Sequence, residues 1–269
     1  MNVLQVIYRN EVEMKAAIIT IAGVSSRFNQ GMPEEKKCHK AIYYEQDRRD
    51  TLLYNLLKKC CYADKIVVVM GYKQADIIAY CHDLPKEWQD KMIFVYNEHF
   101  TDLGSGYSLY LGIEELRKMH ACWEDVLFVE GDLDIDRESF TRVIEAGKSV
   151  LTYSYEPIYT NKAVVLYQDG EGFYHYAFNR SHGLLRIDEP FSLLLNSGQL
   201  WKFTDWEKLQ KANDRFLREC KGESNLGIIR FYVESCNGDS FTLIPLKRWT
   251  NCNTREDYKQ ILVAWEEER

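Results

Sequence analysis

The sequence predicts a Rossmann-like, doubly wound α/β fold: a mixed sheet with helices on both faces and a smaller β-rich lid region in its second half. Three observations carry this. The run Ala16–Ile21 is apolar and rich in β-branched residues without interruption, as a strand buried on both faces of a parallel sheet should be, and it opens into the small-residue loop GVSSRF. Similar runs then alternate with amphipathic helical segments up to about residue 147, the pattern that builds βαβ units. Beyond that point the chain changes to short alternating strands broken by Gly-rich or polar turns.

Residues 1–13, MNVLQVIYRNEVE, are interrupted by Gln5, Arg9, Asn10 and Glu11 and form an N-terminal extension to which no function is assigned; Met14 is an alternative start. After the first strand, TLLYNLLKKC places Leu52, Leu53, Leu56 and Leu57 on one helical face and KIVVVMG follows as a strand. A helix over about 74–81 leads into the strand MIFVYN, then the helix YSLYLGIEELRKM and the strand VLFVEGD. In the second half VLTYSY, KAVVLYQ, GFYHYAF and FTLIPL read as strands, with a helix around FTDWEKLQKANDRFLREC. The C-terminal TREDYKQILVAWEEE has a Thr N-cap and acidic residues in its first turn, so it reads as a closing helix. The expected layout is one domain over 14–269: a nucleotide-binding half (14–147), an acceptor-binding and lid half (148–249) and the closing helix (250–269).

Composition narrows the function. With 269 residues, 46% of them hydrophobic, the chain can bury one large core. A net charge of −7 argues against sequence-independent nucleic-acid binding, which needs a basic face. The longest apolar runs fall well short of the roughly 20 residues of a membrane helix. Eight cysteines without C-x-x-C spacing, Cys60 and Cys61 being adjacent, point to a reduced cytoplasmic protein rather than a disulfide scaffold or a structural zinc site.

The chemistry begins in the first loop. In open α/β sheets ligands bind at the carboxyl ends of the strands, where small residues let backbone N–H groups approach phosphate oxygens. Ala22, Gly23, Val24, Ser25 and Ser26 supply such a loop, and Arg27 and Lys40 supply positive charge. Neither the three-glycine dinucleotide fingerprint nor the Gly-Lys-Ser/Thr P-loop is present. A second feature is EGDLDID, an apolar strand delivering Asp132, Asp134 and Asp136 at its carboxyl end. Asp132, nearest the strand, is the candidate metal ligand: magnesium takes one or two protein oxygens together with substrate phosphates and water.

Together these segments resemble the nucleotidyltransferase family that activates sugar phosphates and small phospho-alcohols, most closely its choline-phosphate cytidylyltransferase-like branch, over most of the chain. ITIAGVSSRF and HKAI echo the family's L-A-A-G-x-G-S-R and P-K-A-L segments, putting Arg27 and Lys40 on its phosphate-contacting Arg and Lys. IVVVMGYKQADI resembles its second strand with the Gly-Tyr turn, and NEHFTDLGSGYSLYLGIEEL resembles the Y-S-L-Y-L run of the cytidylyltransferase branch. WTNCNTREDY resembles the C-terminal signature whose central Asp or Asn completes the metal site, here Asn253; an N-cap role for Asn253 is the alternative. The chain departs from the pattern twice: Val24 and Ser25 stand where the loop's second glycine is expected, and His39, read as a surface residue, replaces the proline before the Lys.

The resemblance implies a fold of the nucleotide-diphospho-sugar transferase type and transfer of a nucleoside monophosphate to a substrate phosphate or phosphonate, with magnesium as cofactor and Arg27 and Lys40 as catalytic residues. It implies CTP as donor, with Gly71 and Ser108 in segments that line a base pocket and Asn97 binding substrate. For the acceptor, Ala163 stands where a choline site wants an aromatic, while Lys162 suits a phosphate or phosphonate and Arg180, His182 and Arg186 suit a carboxylate. The preferred acceptor is therefore a small phosphorylated or phosphonate compound other than choline phosphate. Three other readings stay open: a sugar-1-phosphate uridylyl- or thymidylyltransferase, a glycosyltransferase using Asp132-Leu133-Asp134 as its D-x-D, and a non-catalytic nucleotide-binding module. A homodimer is also left open.

Overall fold

The computed structural model describes residues 13–159, 164–178 and 185–268. Its first half runs β1 (Met14–Ile21), α1 (Leu52–Cys60), β2 (Lys65–Met70), α2 (Gln74–His82), the single turn α3 (Lys86–Gln89), β3 (Met92–Tyr96), α4 (Ser105–Lys118) and β4 (Trp123–Glu130). The second half continues with β5 (Leu133–Ile135), α5 (Arg137–Glu145), β6 (Ser149–Ser154), β7 (Val164–Asp169), β8 (Tyr174–Phe178), β9 (Phe191–Phe203), α6 (Trp206–Glu219), α7 (Leu226–Glu234), β10 (Phe241–Leu246), β11 (Trp249–Asn251) and α8 (Arg255–Glu267).

The main sheet has the order β10-β6-β9-β4-β1-β2-β3, with β1 parallel to both neighbours: Ile18 lies opposite Val67 of β2 and Phe128 of β4. Because side chains alternate along a strand, Ala17, Ile19 and Ile21 face a core built with α1, α2 and α5, and Ala16 and Ile18 face one built with α4, α6 and α7. This two-sided burial explains the uninterrupted apolar runs. Each fully buried Ile or Leu contributes about 1.5–3 kcal/mol.

Of the strands expected in a β-rich second half, β6 and β10 pair in parallel within the main sheet. β7 and β8 form an antiparallel arm on the first part of β9. β9 joins the two regions: Leu200–Phe203 pair with β4, whereas Leu193–Asn196 pair with β7. The change occurs around Gln199, whose φ of 55° is left-handed. β9, α5 and α7 are not among the elements expected from the sequence.

The closing helix α8 is fixed at both ends of its contact. Thr254 caps it, and Asp257 returns the bond in a capping box. Tyr258, Ile261 and Trp265 pack on Phe28 and Leu52, and Arg255 lies 4.3 Å from the ring centre of Tyr43. The C-terminus is thereby fastened onto the loop after β1. The eight cysteines are free thiols, and no helix among the described residues is long and apolar enough to cross a membrane.

Candidate active site

The carboxyl ends of β1 and β4, the N-terminus of α4, the loop Ala22–Arg27 and Asn253 enclose a cavity of about 400 Å³. Four side chains from three distant segments meet there. The Lys40 Nζ lies 2.8 Å from Asp132 Oδ2, 2.8 Å from the Cys252 carbonyl and 3.5 Å from Asn253 Oδ1. Arg27 donates to the same Asn253 oxygen at 2.8 Å. Asn253 therefore faces the cavity, and the cap of α8 is Thr254 instead.

The loop reaches this arrangement through its own side chains. Ser25 stands where the second glycine is missing and takes the left-handed conformation that glycine favours, with φ 55°. Its hydroxyl accepts from the Lys40 N–H at 3.2 Å. Asn29 pins the far side of the loop, donating to the Cys38 carbonyl at 2.8 Å and accepting from the Cys38 N–H at 3.1 Å. His39 is not a surface residue: only 2% exposed, it caps the short 3-10 turn Lys40–Ile42 by accepting from the Ala41 N–H. Burial, reinforced by the Lys40 charge, pushes its pKa down to about 4, so the ring is neutral at neutral pH.

At the end of β4, Gly131 turns the chain so closely over β1 that a Cβ would meet Ile21 Cγ2 at 2.0 Å. The three aspartates then separate. Asp132 faces Lys40 in the cavity. Asp134 is 1% exposed and held by Arg248 at 2.9 Å, Lys59 at 3.6 Å and the Trp265 indole at 2.8 Å. Asp136 caps α5 through the Ser139 N–H and also accepts from the Arg248 N–H. Asp132 and Asp134 thus do not converge on one ligand, which removes the basis for reading them as a D-x-D pair.

Glu130, missed in the sequence, also lines the cavity and accepts from the Asn225 side chain. Burial and the nearby Asp132 charge push its pKa up to about 7. The signal was present: a charged residue ends the apolar run VLFVE directly before Gly131-Asp132. Asn225, by contrast, reaches the site from the start of α7, and nothing in its local sequence marks it.

The remaining expected residues divide. Asn97 and Ser108 both line the cavity and are bonded to each other at 3.0 Å, and Asn97 also accepts from the His99 N–H. Asn97 therefore shapes the wall with much of its bonding capacity already used. Gly71 lies behind the loop rather than in the cavity; a Cβ there would meet the Ala22 carbonyl and Phe100 at 2.6 Å. Lys162, Ala163, Arg180 and His182 fall outside the described residues. Arg186 is exposed and paired with Asp188.

The oxygen donors fit a hard divalent cation. One Lys40 ammonium reaches both Asp132 Oδ2 and Asn253 Oδ1, so the two oxygens lie around a common point. Among the described residues no group of three or more His, Cys, Asp or Glu can hold a metal. Asp132 and Asn253 are the residues that would hold magnesium there, which suits an ion that takes few protein oxygens beside substrate phosphates and water.

The fold is that of the CTP-type and sugar-phosphate nucleotidyltransferases. It is similar to a CTP:phosphocholine cytidylyltransferase from Streptococcus pneumoniae, with 14% identity, a TM-score of 0.59 and coverage of 92% of this chain and 97% of that one. An inositol-1-phosphate CTP transferase from T. maritima matches at 16% identity and TM-score 0.61, covering 92% of each chain. A UDP-glucose pyrophosphorylase complexed with UDP-glucose matches at 13% identity and TM-score 0.64, covering 95% of this chain and 100% of that one. The chain itself belongs to the DUF6564 family, described as a domain of unknown function, whose model matches residues 36–265. Comparison with curated proteins gives no sequence match.

Proposed function

We propose that this protein is a nucleotidyltransferase that moves CMP from CTP to a small phosphate- or phosphonate-bearing acceptor and releases pyrophosphate. The observation that carries the reading is the meeting of Lys40 and Arg27 with Asp132 and Asn253 in a cavity at the carboxyl edge of a parallel sheet. The fold likeness to nucleotidyltransferases supports it. CTP is favoured by the YSLYL segment, and a reduced cytoplasmic setting agrees with eight free thiols.

In the proposed reaction an oxygen of the acceptor's phosphate or phosphonate forms a bond to the α-phosphorus. The bond from that phosphorus to the bridging oxygen breaks, and pyrophosphate leaves with the electron pair. The attacking oxygen is already anionic, so no general base is required. Magnesium, held by Asp132 and Asn253, would neutralise charge on the phosphates when bound. Arg27 and Lys40 bind and orient the triphosphate, their charge stabilising the leaving group as its negative charge grows. Ser25, accepting from the Lys40 N–H, and His39, accepting from the Ala41 N–H, together fix the short turn that carries Lys40. The N-terminus of α4, lining the cavity at Gly104 and Ser105, adds peptide dipoles that favour an anion.

The fold likeness to a UDP-glucose pyrophosphorylase supports a second reading, in which UTP or dTTP reacts with a sugar 1-phosphate. One experiment separates them: pyrophosphate release with magnesium, pairing CTP, UTP, dTTP, ATP and GTP with choline phosphate, ethanolamine phosphate, 2-aminoethylphosphonate and sugar 1-phosphates. CTP-dependent release with one small acceptor is the expected result. Release only with UTP or dTTP and a sugar 1-phosphate selects the second reading, and nucleotide binding without release across the panel rejects both.

A further inference from the structure

A second cavity of about 400 Å³ lies between α1, α5 and α8 and shares no lining residue with the one at the strand ends. Its apolar wall is formed by the half-buried Tyr62 after α1 and Ile144 of α5, with Trp265 of α8 and Phe140, whose ring lies 5.9 Å from the Lys59 ammonium, buried beneath them. The wall is pre-set: the Trp265 indole is tied to Asp134 at 2.8 Å, and Lys59 donates to the Ile135 carbonyl. A wall that needs no ordering on binding loses less entropy to a ligand.

The charges around this wall do not cancel. Glu268, the one acid lining the cavity, is bonded to Arg248, and Arg248 and Lys59 together face the buried Asp134. Two cations and two anions are thereby matched. Lys58 and Arg137 remain, both exposed at the cavity and neither with a partner among the described residues. Two unpaired cations beside an apolar, low-dielectric wall attract an anion more strongly than the same cations on an open surface. The volume falls within the roughly 300–1,000 Å³ of small-molecule sites.

We propose that this cavity is a second ligand site, for a small organic anion that lays an apolar ring on Tyr62 and Ile144 and its charged group between Lys58 and Arg137. The anionic group is a phosphate or a carboxylate. The site does not depend on the nucleotidyl-transfer reading, since its residues are separate from that machinery.

The test is isothermal titration of the full chain with 1-naphthyl phosphate and, in parallel, 1-naphthoate. The double variant Lys58→Glu/Arg137→Glu and the cavity-filling Thr141→Trp are each expected to weaken binding at least tenfold. All three positions are exposed, so unchanged melting temperatures are expected and would show that the variants fold. Arg27→Ala/Lys40→Ala should leave the affinity within twofold. Tighter binding of the phosphate marks a phosphorylated ligand, and tighter binding of naphthoate marks a carboxylate. No binding of either probe at millimolar concentration, equal affinity in the wild type and both cavity variants, or loss of binding in Arg27→Ala/Lys40→Ala would overturn the proposal.

Discussion

The Lys40–Arg27 end of the cavity, proposed to hold phosphates, and the β7–β8–β9 arm are built on opposite principles. At the phosphate end, residues from three distant stretches cross-brace one another: Lys40 spans Asp132 and Cys252, Arg27 holds Asn253, and Asn29 pins the intervening loop. Toward the arm the chain is a ribbon of strand pairs with aromatic rings at its rim, Phe191 at the start of β9 48% exposed and Phe173 in the β7–β8 turn 38%. Phosphate chemistry demands fixed charges, because electrostatic stabilisation works only where donors are already in place.

That contrast makes the largest effect fall on the phosphate end. Lys40→Ala should lower turnover about a thousandfold, roughly 4 kcal/mol of barrier. Pyrophosphate release measures it, and near-normal turnover would remove Lys40 from the catalytic role. Next is the buried brace His39. Its folded pKa of about 4 lies below the ordinary 6.5, so only the unfolded chain binds the proton between those values, and stability present above pH 6.5 is lost as pH falls toward 4. The shift corresponds to about 3 kcal/mol. Denaturant midpoints across that window should fall more steeply for the wild type than for His39→Asn, and parallel curves would contradict the buried, neutral ring.

Effects at the acceptor residues proposed from the sequence should be milder and of another kind. Lys162→Ala/Arg180→Ala is expected to raise the acceptor KM about tenfold while leaving CTP affinity unchanged. Equal losses for both substrates would remove Lys162 and Arg180 from the acceptor role. Smallest is Asn253→Asp, which replaces a neutral oxygen with a carboxylate and should lower the half-saturating magnesium concentration several-fold. Magnesium titration of activity reads this directly, and an unchanged midpoint would exclude residue 253 as a ligand.

Legibility in the sequence follows the same divide. The buried strands and α1, α2, α4, α6 and α8 were readable because burial on two faces or one stripe leaves a periodic trace. β9 was not, because it is split between the sheet and the arm, with Asn196, Ser197 and Gly198 interrupting its pattern. α5 hides behind the run of aspartates that precedes and caps it. His39 was misread because a polar residue in a loop looks solvated when the atoms covering it come from elsewhere in the chain.

By itself, the sequence determined the parallel core and the small-residue loop that follows β1, since burial on two faces imposes a local pattern, and it singled out Arg27, Lys40 and Asp132 near strand ends and Asn253 through resemblance to a family signature. Only the tertiary structure decided which aspartate faces the cavity, that Ser25 adopts glycine's conformation, that His39 is buried and that Asn225 reaches Glu130. Such outcomes depend on contacts between segments as much as 226 residues apart, as between Arg27 and Asn253. Local periodicity carries no record of such contacts: they exist only when the sheet has brought the carboxyl ends of its strands to one edge.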